Sequence, residues 1–210
     1  MNKLYMILLT ISICAAGCTT TYRVHVNGFS ELDQPISDKA SIYVTVDPNS
    51  QNPIFDKEIK AKIEMLLKSH GYIPAPDVEP ADYRLAFQLG LDSHRVSGYT
   101  PLYRPSIGFH DRYWGEYDFG FTSYVPYFDT YYNQWLVMKV FATGRTAASE
   151  TGQVVWIGEA MTDTSVADLR QVVNYLLVAG FEYFGVDTKR QMALTIGPDD
   201  PRIIRISTLR

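Results

Sequence analysis

The sequence predicts an α+β fold: an antiparallel or mixed sheet of about five strands with two helices packed on one face, plus a long aromatic loop. Three observations lead to this class. Five short segments alternate apolar and polar residues, as half-buried strands do. Two longer segments repeat apolar residues every three or four positions, as amphipathic helices do. The strands are grouped in the order β-β-α-β-β-β-α, which favours α+β over a regular alternation of strands and helices.

The first two strands and the first helix are predicted from changes in this periodicity. Residues 22–29 (YRVHVNGF) and 40–48 (ASIYVTVDP) alternate, and the second of them ends in turn residues. The Asn-Pro pair at 52–53 can cap and open a helix. The helix is expected to end at the His-Gly pair at 70–71, because glycine readily adopts the left-handed conformation of a C-cap.

Three further strands are predicted in the middle of the chain. They are residues 81–96, 135–143 (WLVMKVFAT) and 154–162 (VVWIGEAMT). The polar stretch between the last two favours an antiparallel hairpin.

The second helix and the tail complete the predicted order of elements. Ser165 with Asp168 has the spacing of a capping box, and an apolar stripe follows it. Residues 192–196 and 202–209, separated by a Gly-Pro-Asp-Asp-Pro turn, are interpreted as a short extra hairpin.

The N-terminal segment has the layout of an export signal. Lys3 precedes an apolar run that is too short to span a bilayer as a mature helix. The sequence Ala-Ala-Gly-Cys at 15–18 resembles the bacterial lipobox. That resemblance implies cleavage after residue 17 and acylation of Cys18, with Cys14 lost in the discarded segment. An ordinary secretory signal is the alternative; a redox or metal-binding cysteine pair is less favoured, because two ligands make no complete site.

The lipobox resemblance implies a location, and together with the predicted elements and the family resemblance given below it leads to a domain layout. Residues 1–17 would be the lipoprotein signal peptide, 18–196 a single α+β lipoprotein domain, and 197–210 a C-terminal extension. The lipid on Cys18 would make the membrane a partner. Threonine at position 19, by resemblance to enterobacterial sorting rules, favours the periplasmic face of the outer membrane over the inner membrane.

Charge and motif content argue against several classes of function. The formal net charge is −4 and no basic cluster stands out, so nucleic acid is not a predicted partner. The sequence has no Gly-x-Ser-x-Gly motif and no phosphate-cradling glycine loop. We predict no catalytic residues, no metal ligands and no cofactor, and therefore a protein that is not an enzyme.

Short motifs in the mature part carry a family resemblance. The stretches HGY (70–72), PADYRL (80–85) and TGQVVW (151–156) resemble a family of small periplasmic bacterial lipoproteins known only as a domain of unknown function. Members often have Arg after that Trp, where Ile157 stands in this chain. The resemblance implies the order strand, amphipathic helix, strand, hairpin and terminal helix, and it supplies no catalytic residue.

The most unusual segment is the aromatic excursion at 98–134. With Trp135 it contains eight Tyr, four Phe and two Trp, and a loop of this length is usually functional or disordered. Its rings could form a platform for a sugar or a protein, or could fold back over the open face of the sheet, which the sequence favours slightly. The candidate partner-binding residues are Tyr113, Trp114, Tyr117, Tyr124, Tyr127, Tyr131 and Tyr132.

Catalytic and metal-binding interpretations of this segment are weaker. Glycoside hydrolysis needs two carboxyl groups at a fixed separation. The acids have no characteristic spacing; they are Asp111, Glu116, Asp118 and Asp129. His94 and His110 flank the region, but spacing alone does not show that ligands converge on a metal.

The favoured function is therefore an outer-membrane-anchored periplasmic lipoprotein with a non-catalytic interaction or structural role in the cell envelope. Its partner would be an envelope protein or peptidoglycan. The alternative is a binder or hydrolase of peptidoglycan, or of another carbohydrate, that uses the aromatic segment.

Overall fold

The structure, a computed structural model, describes residues 20–104, 121–143 and 152–208. Within these ranges it contains seven strands and three helices. The strands are β1 (Tyr22–Ser30), β2 (Ser41–Thr45), β3 (Ile73–Pro74), β4 (Tyr83–Arg104), β5 (Phe121–Ala142), β6 (Val154–Thr164) and β7 (Met192–Ile196). The helices are α1 (Pro53–Ser69), α2 (Leu169–Glu182) and α3 (Pro201–Ser207).

All seven strands form one mixed sheet in the order β3-β2-β4-β5-β6-β1-β7. The strands β3, β2 and β4 run parallel to one another, and every other neighbouring pair is antiparallel. The predicted α+β class is therefore confirmed, and so is the hairpin of β5 and β6. The predicted count of about five strands is wrong, because β3 is too short to show periodicity and β7 was assigned to a terminal hairpin.

The chain between β7 and Ser207 departs from the predicted hairpin. Asp200 accepts a hydrogen bond from the backbone N–H of Arg202 at 2.8 Å, and Pro201 occupies the first turn. A capping side chain followed by proline opens a helix and not a strand. The resulting helix α3 buries Ile203 and Ile206 in the main core.

The ends of the two longer helices follow from capping. Asn52 accepts from the N–H of Phe55 at 3.2 Å, and Gly71 has φ = 91° just after α1, as predicted. The second helix starts later than the capping-box prediction placed it. Asp168 itself is the N-cap and accepts from the N–H of Arg170 at 3.0 Å.

The core lies between one face of the sheet and the helices. Strand register places Leu85, Val140 and Trp156 in one cross-strand row on this face, and all three are buried. Helix α2 packs on β1, β5 and β6 below it and on α1 and α3 beside it. Its burial on several sides explains why almost every residue from Val172 to Phe181 is buried.

The aromatic excursion was predicted to be a loop, and the described part of it is strand. Strand β4 continues through residue 104 and β5 begins at residue 121, so most of 98–134 belongs to one long antiparallel pair. Both sides contain β-branched and aromatic residues, which are enriched in strands and favour this pairing. The segment 105–120 lies outside the described residues. The part of the excursion that is described does not fold back over the sheet.

Among the described helices, none combines the length and the apolar character that a bilayer-spanning helix requires.

Candidate interaction surface

The outer part of the β4–β5 pair is a two-stranded ribbon that projects from the sheet. We define this ribbon as residues 93–104 and 121–131. On one side β4 loses its partner β2 after Ala86, and on the other β5 pairs with β6 only from Tyr132 onward. The ribbon residues therefore pair only with each other, and each strand has one edge of unpaired backbone groups.

An unbroken register assigns every ribbon side chain to one of two faces. Directly opposed residues share a face, and the face alternates along each strand. The face that continues the helix-covered side of the sheet carries Tyr99, Tyr124, Phe128 and, at the ribbon base, Tyr132. We call these four residues the helix-side row. The opposite face carries Val96, Leu102, Val125, Tyr127 and Tyr131, which we call the open-side row.

The rings on the open side are held by their neighbours. Tyr127 lies over Gly98, its partner across the ladder, and a Cβ at that glycine would stand 2.7 Å from the ring. Trp135 covers Gly90 in the same way and donates from Nε1 to Asp92 Oδ2 at 3.0 Å. An aromatic side chain that covers a cross-strand glycine stabilises a sheet edge. These rings therefore contribute to the ribbon's own structure.

The stacking of Tyr131 extends this support toward the ribbon base. Its ring is stacked on that of His94, with 6.0 Å between the ring centroids. His94 was considered as a metal ligand, and here its ring packs on a tyrosine. Within the described residues, no group of three His, Cys, Asp or Glu side chains is close enough to hold a metal ion.

The rings on the helix side are presented to solvent. Tyr99 is 71% exposed, and Tyr124 and Phe128 are each 67% exposed. Among the described residues none of these three rings stacks on another. Positions four apart on a strand are separated by about 14 Å, and Tyr99 lies diagonally between Tyr124 and Phe128. The row is therefore a strip of ring faces and phenol hydroxyls on a hydrogen-bonded support.

The ribbon is poor in charge. Its two described strand segments carry Arg95, Arg104 and Asp129, and no lysine. Lysine is the residue that most often protects an exposed strand edge from unwanted pairing. Ring faces with few charges among them are typical of the central part of a binding surface.

The predicted candidate residues are distributed unevenly. Tyr124 and Tyr132 belong to the helix-side row, while Tyr127 and Tyr131 belong to the open-side row. The prediction missed Tyr99 and Phe128, the other two members of the helix-side row. The signal that could have found Phe128 is the spacing of four from Tyr124 to Phe128 to Tyr132, which keeps one face in a strand. The remaining predictions lie outside the described residues: Cys18, Tyr113, Trp114 and Tyr117.

The carboxylates that were considered for catalysis are not gathered in the described part of the chain. Asp129 is opposite Val96 on the ribbon, and Asp92 accepts from Trp135 at its base. Asp111, Glu116 and Asp118 lie outside the described residues.

One of the two acids in the predicted C-terminal turn, Asp200, is a member of a structural ion pair. Arg202 donates to Asp200 at 2.8 Å and also to Glu182 on α2. The hydrogen bonds from Arg202 hold the pKa of Asp200 below its usual value. This arrangement fastens α3 to α2.

A groove of about 590 Å³ lies beside the ribbon base. Its walls include the N-termini of α1 and α2, Trp135 and Arg170. Helix N-termini favour anions, but here the capping positions are filled by Asn52 and Asp168, whose side chains accept from the helix N–H groups. The groove therefore has an acidic, a basic and an aromatic side chain in its walls, those of Asp168, Arg170 and Trp135. This combination selects no particular class of ligand.

Comparison with known proteins adds little to this geometry. No protein-family model matches the sequence, and no curated protein matches it. The chain is similar to a PDZ domain protein from Parabacteroides distasonis, with 14% identity and a TM-score of 0.48 over 92% of this chain and 43% of the other. It thus spans less than half of that protein.

Two further solved structures are similar at a comparable level. One is the PelC dodecamer from Paraburkholderia phytofirmans, with 14% identity and a TM-score of 0.43 over 78% of this chain and 98% of the other. The second is a DUF4136 family protein from Bacteroides thetaiotaomicron, with 11% identity and a TM-score of 0.38 over 75% and 91%. The latter is a member of a domain-of-unknown-function family, the kind of family that the sequence motifs resemble. At these scores no property of the three proteins transfers to this chain.

Proposed function

We propose that this protein is a lipid-anchored, non-catalytic binding protein of the bacterial cell envelope. Acyl chains on Cys18 would anchor the protein to the periplasmic face of the outer membrane, as the resemblance of residues 15–18 to the lipobox implies. The helix-side row of the ribbon would make the contact with a second envelope component. This goes further than the domain-of-unknown-function resemblance, which names no activity.

The observation that carries the proposal is the exposure of the helix-side row on a ribbon that the rest of the described chain leaves uncovered. Burying a ring removes apolar surface from water, which is favourable by about 25 cal/mol of free energy per Å² of that surface. Leaving Tyr99, Tyr124 and Phe128 in water forgoes that stabilisation. A contact that covers them would recover it, and aromatic side chains are the commonest anchors of protein interfaces.

The chemistry of the row suits binding. It presents ring faces and phenol hydroxyls, which combine apolar area with a hydrogen-bonding tip. Its support is a continuous backbone ladder between β4 and β5, so the rings keep their spacing.

The anchor is tested by metabolic labelling with radioactive palmitate. We expect label on the wild-type chain and on Cys14→Ala, because Cys14 lies in the segment that signal cleavage would remove. We expect none on Cys18→Ala. Label that survives Cys18→Ala would overturn the anchor, and so would a wild-type chain without label.

The contact is tested by photo-crosslinking in the intact envelope. A benzoylphenylalanine is placed at Phe128 on the ribbon or, as the matched control, at Phe29 at the opposite end of the sheet, which is 54% exposed. We expect adducts from position 128 and none from position 29. The same adduct pattern from both positions, or none from position 128, would contradict a binding role of the ribbon.

A carbohydrate partner is the second candidate, because exposed ring faces also stack on sugars. A pull-down on purified peptidoglycan compares the wild type with the triple variant Tyr99→Ser, Tyr124→Ser and Phe128→Ser. Retention of the wild type together with loss of the variant would favour this candidate. Equal retention of the two chains, or no retention, would remove it.

A further inference from the structure

The N-terminus of the described chain and the ribbon leave the sheet at the same end. His25 on β1 and Trp135 on β5 are both paired with Met161 on the strand between them. Tyr22 begins β1 three residues before His25, and Tyr132, three residues before Trp135, is where β5 leaves β6. Because β1 and β5 are both antiparallel to β6, they run in the same direction, and β1 begins at the end of the sheet from which the ribbon projects.

The length of the chain limits the distance between the proposed anchor and the start of β1, which lies at the ribbon end of the sheet. Cys18 is four residues before Tyr22, and an extended chain covers at most about 3.6 Å per residue, so the two Cα atoms are within about 14 Å. The ribbon strand 121–131 is about 37 Å long at 3.4 Å per residue, which exceeds that distance. Much of the length of the ribbon can therefore reach a lipid surface that holds Cys18.

We infer that the ribbon is a second membrane contact, which lies in the headgroup layer of the bilayer that holds the acyl chains of Cys18. This inference rests on the proposed lipid anchor and names the component that the helix-side row meets. Tyrosine is enriched at the membrane–water interface, where its ring meets the apolar region and its hydroxyl stays hydrated.

The unpaired edges of the ribbon fix its depth. Backbone groups without partners are costly in the hydrocarbon core, which admits only helices and closed barrels. Both ribbon strands keep one free edge, so the ribbon belongs in the headgroup layer, where water and phosphate can satisfy those groups. The exposed phenols of Tyr99 and Tyr124 fit the same depth.

The prolines of the ribbon argue against addition of a strand from a second copy. A proline is tolerated in a strand when its nitrogen faces a free edge. Pro101 on β4 and Pro126 on β5 are both paired within the ribbon, opposite Tyr124 and Tyr99. Each outer edge therefore lacks a donor that an added strand would need, whereas lipid headgroups require no such regular pattern.

The test is a measurement of depth in the lipidated protein. Acylated mature chain is reconstituted into vesicles of phosphatidylethanolamine and phosphatidylglycerol, with a nitroxide label on Phe128→Cys or, as control, on Phe29→Cys. Cys18 is blocked by its lipid, so each variant has one reactive thiol. Collision with oxygen and with a water-soluble nickel chelate reports the depth of the label.

We expect the ratio of oxygen to nickel accessibility to be several-fold higher at position 128 than at position 29 in vesicles, and equal at the two positions when the unlipidated Cys18→Ser chain is in buffer. Tyr124→Cys repeats the measurement at a second ribbon position. Equal ratios in vesicles would overturn the inference while leaving the anchor intact, and would turn attention to a protein or carbohydrate partner. A label at 128 that is shielded from both reagents in buffer would also overturn it, in favour of a second copy.

Failure of the proposed function gives a different result. The intact mass of the purified chain reports the acyl groups directly. A chain without them would refute the anchor whatever the label shows.

Discussion

The inner and outer halves of β4 and β5 belong to the same two strands and share one pairing register, yet their side chains are buried to opposite extents. In the inner half, Leu85, Leu136 and Val140 are fully buried under the helices. In the outer half, the side chains that continue the same face are Tyr99, Tyr124 and Phe128, and most of each ring is exposed. The backbone is equivalent, so the difference lies in what covers the face.

The side chains of the inner half therefore stabilise the fold, whereas those on the helix side of the outer half are available for binding. An apolar side chain in the inner half stabilises the fold by leaving water. A ring on the helix side of the outer half gains nothing in the isolated chain, and an isolated two-stranded pair is only marginally stable. The open-side rings are intermediate, because they cover the glycines of their own ladder. Stability and binding should therefore separate when these groups are substituted one at a time.

The largest effect is expected in the core beneath the inner half, at Trp156 on β6, which pairs with Val140 of the inner half. Trp156 is 1% exposed, and its Nε1 donates to the carbonyl of Val186 at 3.0 Å. Trp156→Ala should lower the free energy of unfolding by about 3–5 kcal/mol, because it leaves a cavity and an unpaired carbonyl. Denaturant titration followed by circular dichroism measures the change. A loss as small as that of a surface substitution would break the distinction between the two halves.

An intermediate effect is expected where the two halves meet. The ring of Trp135 lies against Gly90, so the added methyl group of Gly90→Ala would overlap with it. We expect a cost of about 1–3 kcal/mol from this overpacking. In a double-mutant cycle, Trp135→Ala should remove most of the cost, because the overlapping ring is gone. Additive effects of the two substitutions would contradict the contact.

A smaller effect is expected from the ion pair that holds α3 against α2. Asp200→Ala removes the N-cap of α3 and should cost about 1 kcal/mol. The pKa of Asp200 is lowered in the folded chain from the usual 3.8. The carboxylate therefore stabilises the fold fully above pH 3.8, and this stabilisation is lost as the pH falls through the lowered pKa. Acid titration of wild type and variant should therefore show their stabilities converging below pH 3.8. A constant difference down to the lowest pH would contradict the assignment.

The smallest effect on stability is expected on the helix-side row. Phe128→Ala should change the free energy of unfolding by less than about 0.5 kcal/mol, because the ring is mostly exposed and has no ring partner among the described residues. Thermal unfolding of the Cys18→Ser chain without membranes measures it. A loss of 2 kcal/mol or more, roughly that of a buried side chain, would show that the ring is part of the fold and would remove the argument for a binding surface.

Much of the sheet and the two longer helices could be predicted from the sequence, because their apolar residues recur with the simple periods of strands and helices. The helix α1 has an Asn-Pro start and a His-Gly end. The strands β5 and β6 alternate apolar and polar residues over most of their paired length, with one irregularity in the register between Val140 and Phe141. The two-residue strand β3 could not be predicted, since it pairs only because α1 returns the chain beside β2. The helix α3 was missed, although Asp200-Pro201 is a capping signal, because isoleucines at 203, 204 and 206 also suit a strand.

The ribbon was missed for a different physical reason. Glycines and prolines between the aromatic residues indicate a loop when each is considered alone. In the structure, Gly90 and Gly98 are the places where an aromatic ring crosses from the opposite strand, and the prolines sit in the paired ribbon. Only the register shows that Tyr124 and Phe128 share a face that Tyr127 does not. The candidate list could therefore name the aromatic segment but not its two faces.

Backbone hydrogen exchange, measured by mass spectrometry on the lipidated chain in vesicles and on the Cys18→Ser chain in buffer, shows whether the outer half contacts the membrane. We expect peptides from 93–104 and 121–131 to exchange faster than the inner parts of the same strands in buffer, and to become protected in vesicles. Peptides from the inner half should be unchanged. Ribbon peptides that exchange equally fast in both conditions would contradict the claim that the outer half contacts the membrane.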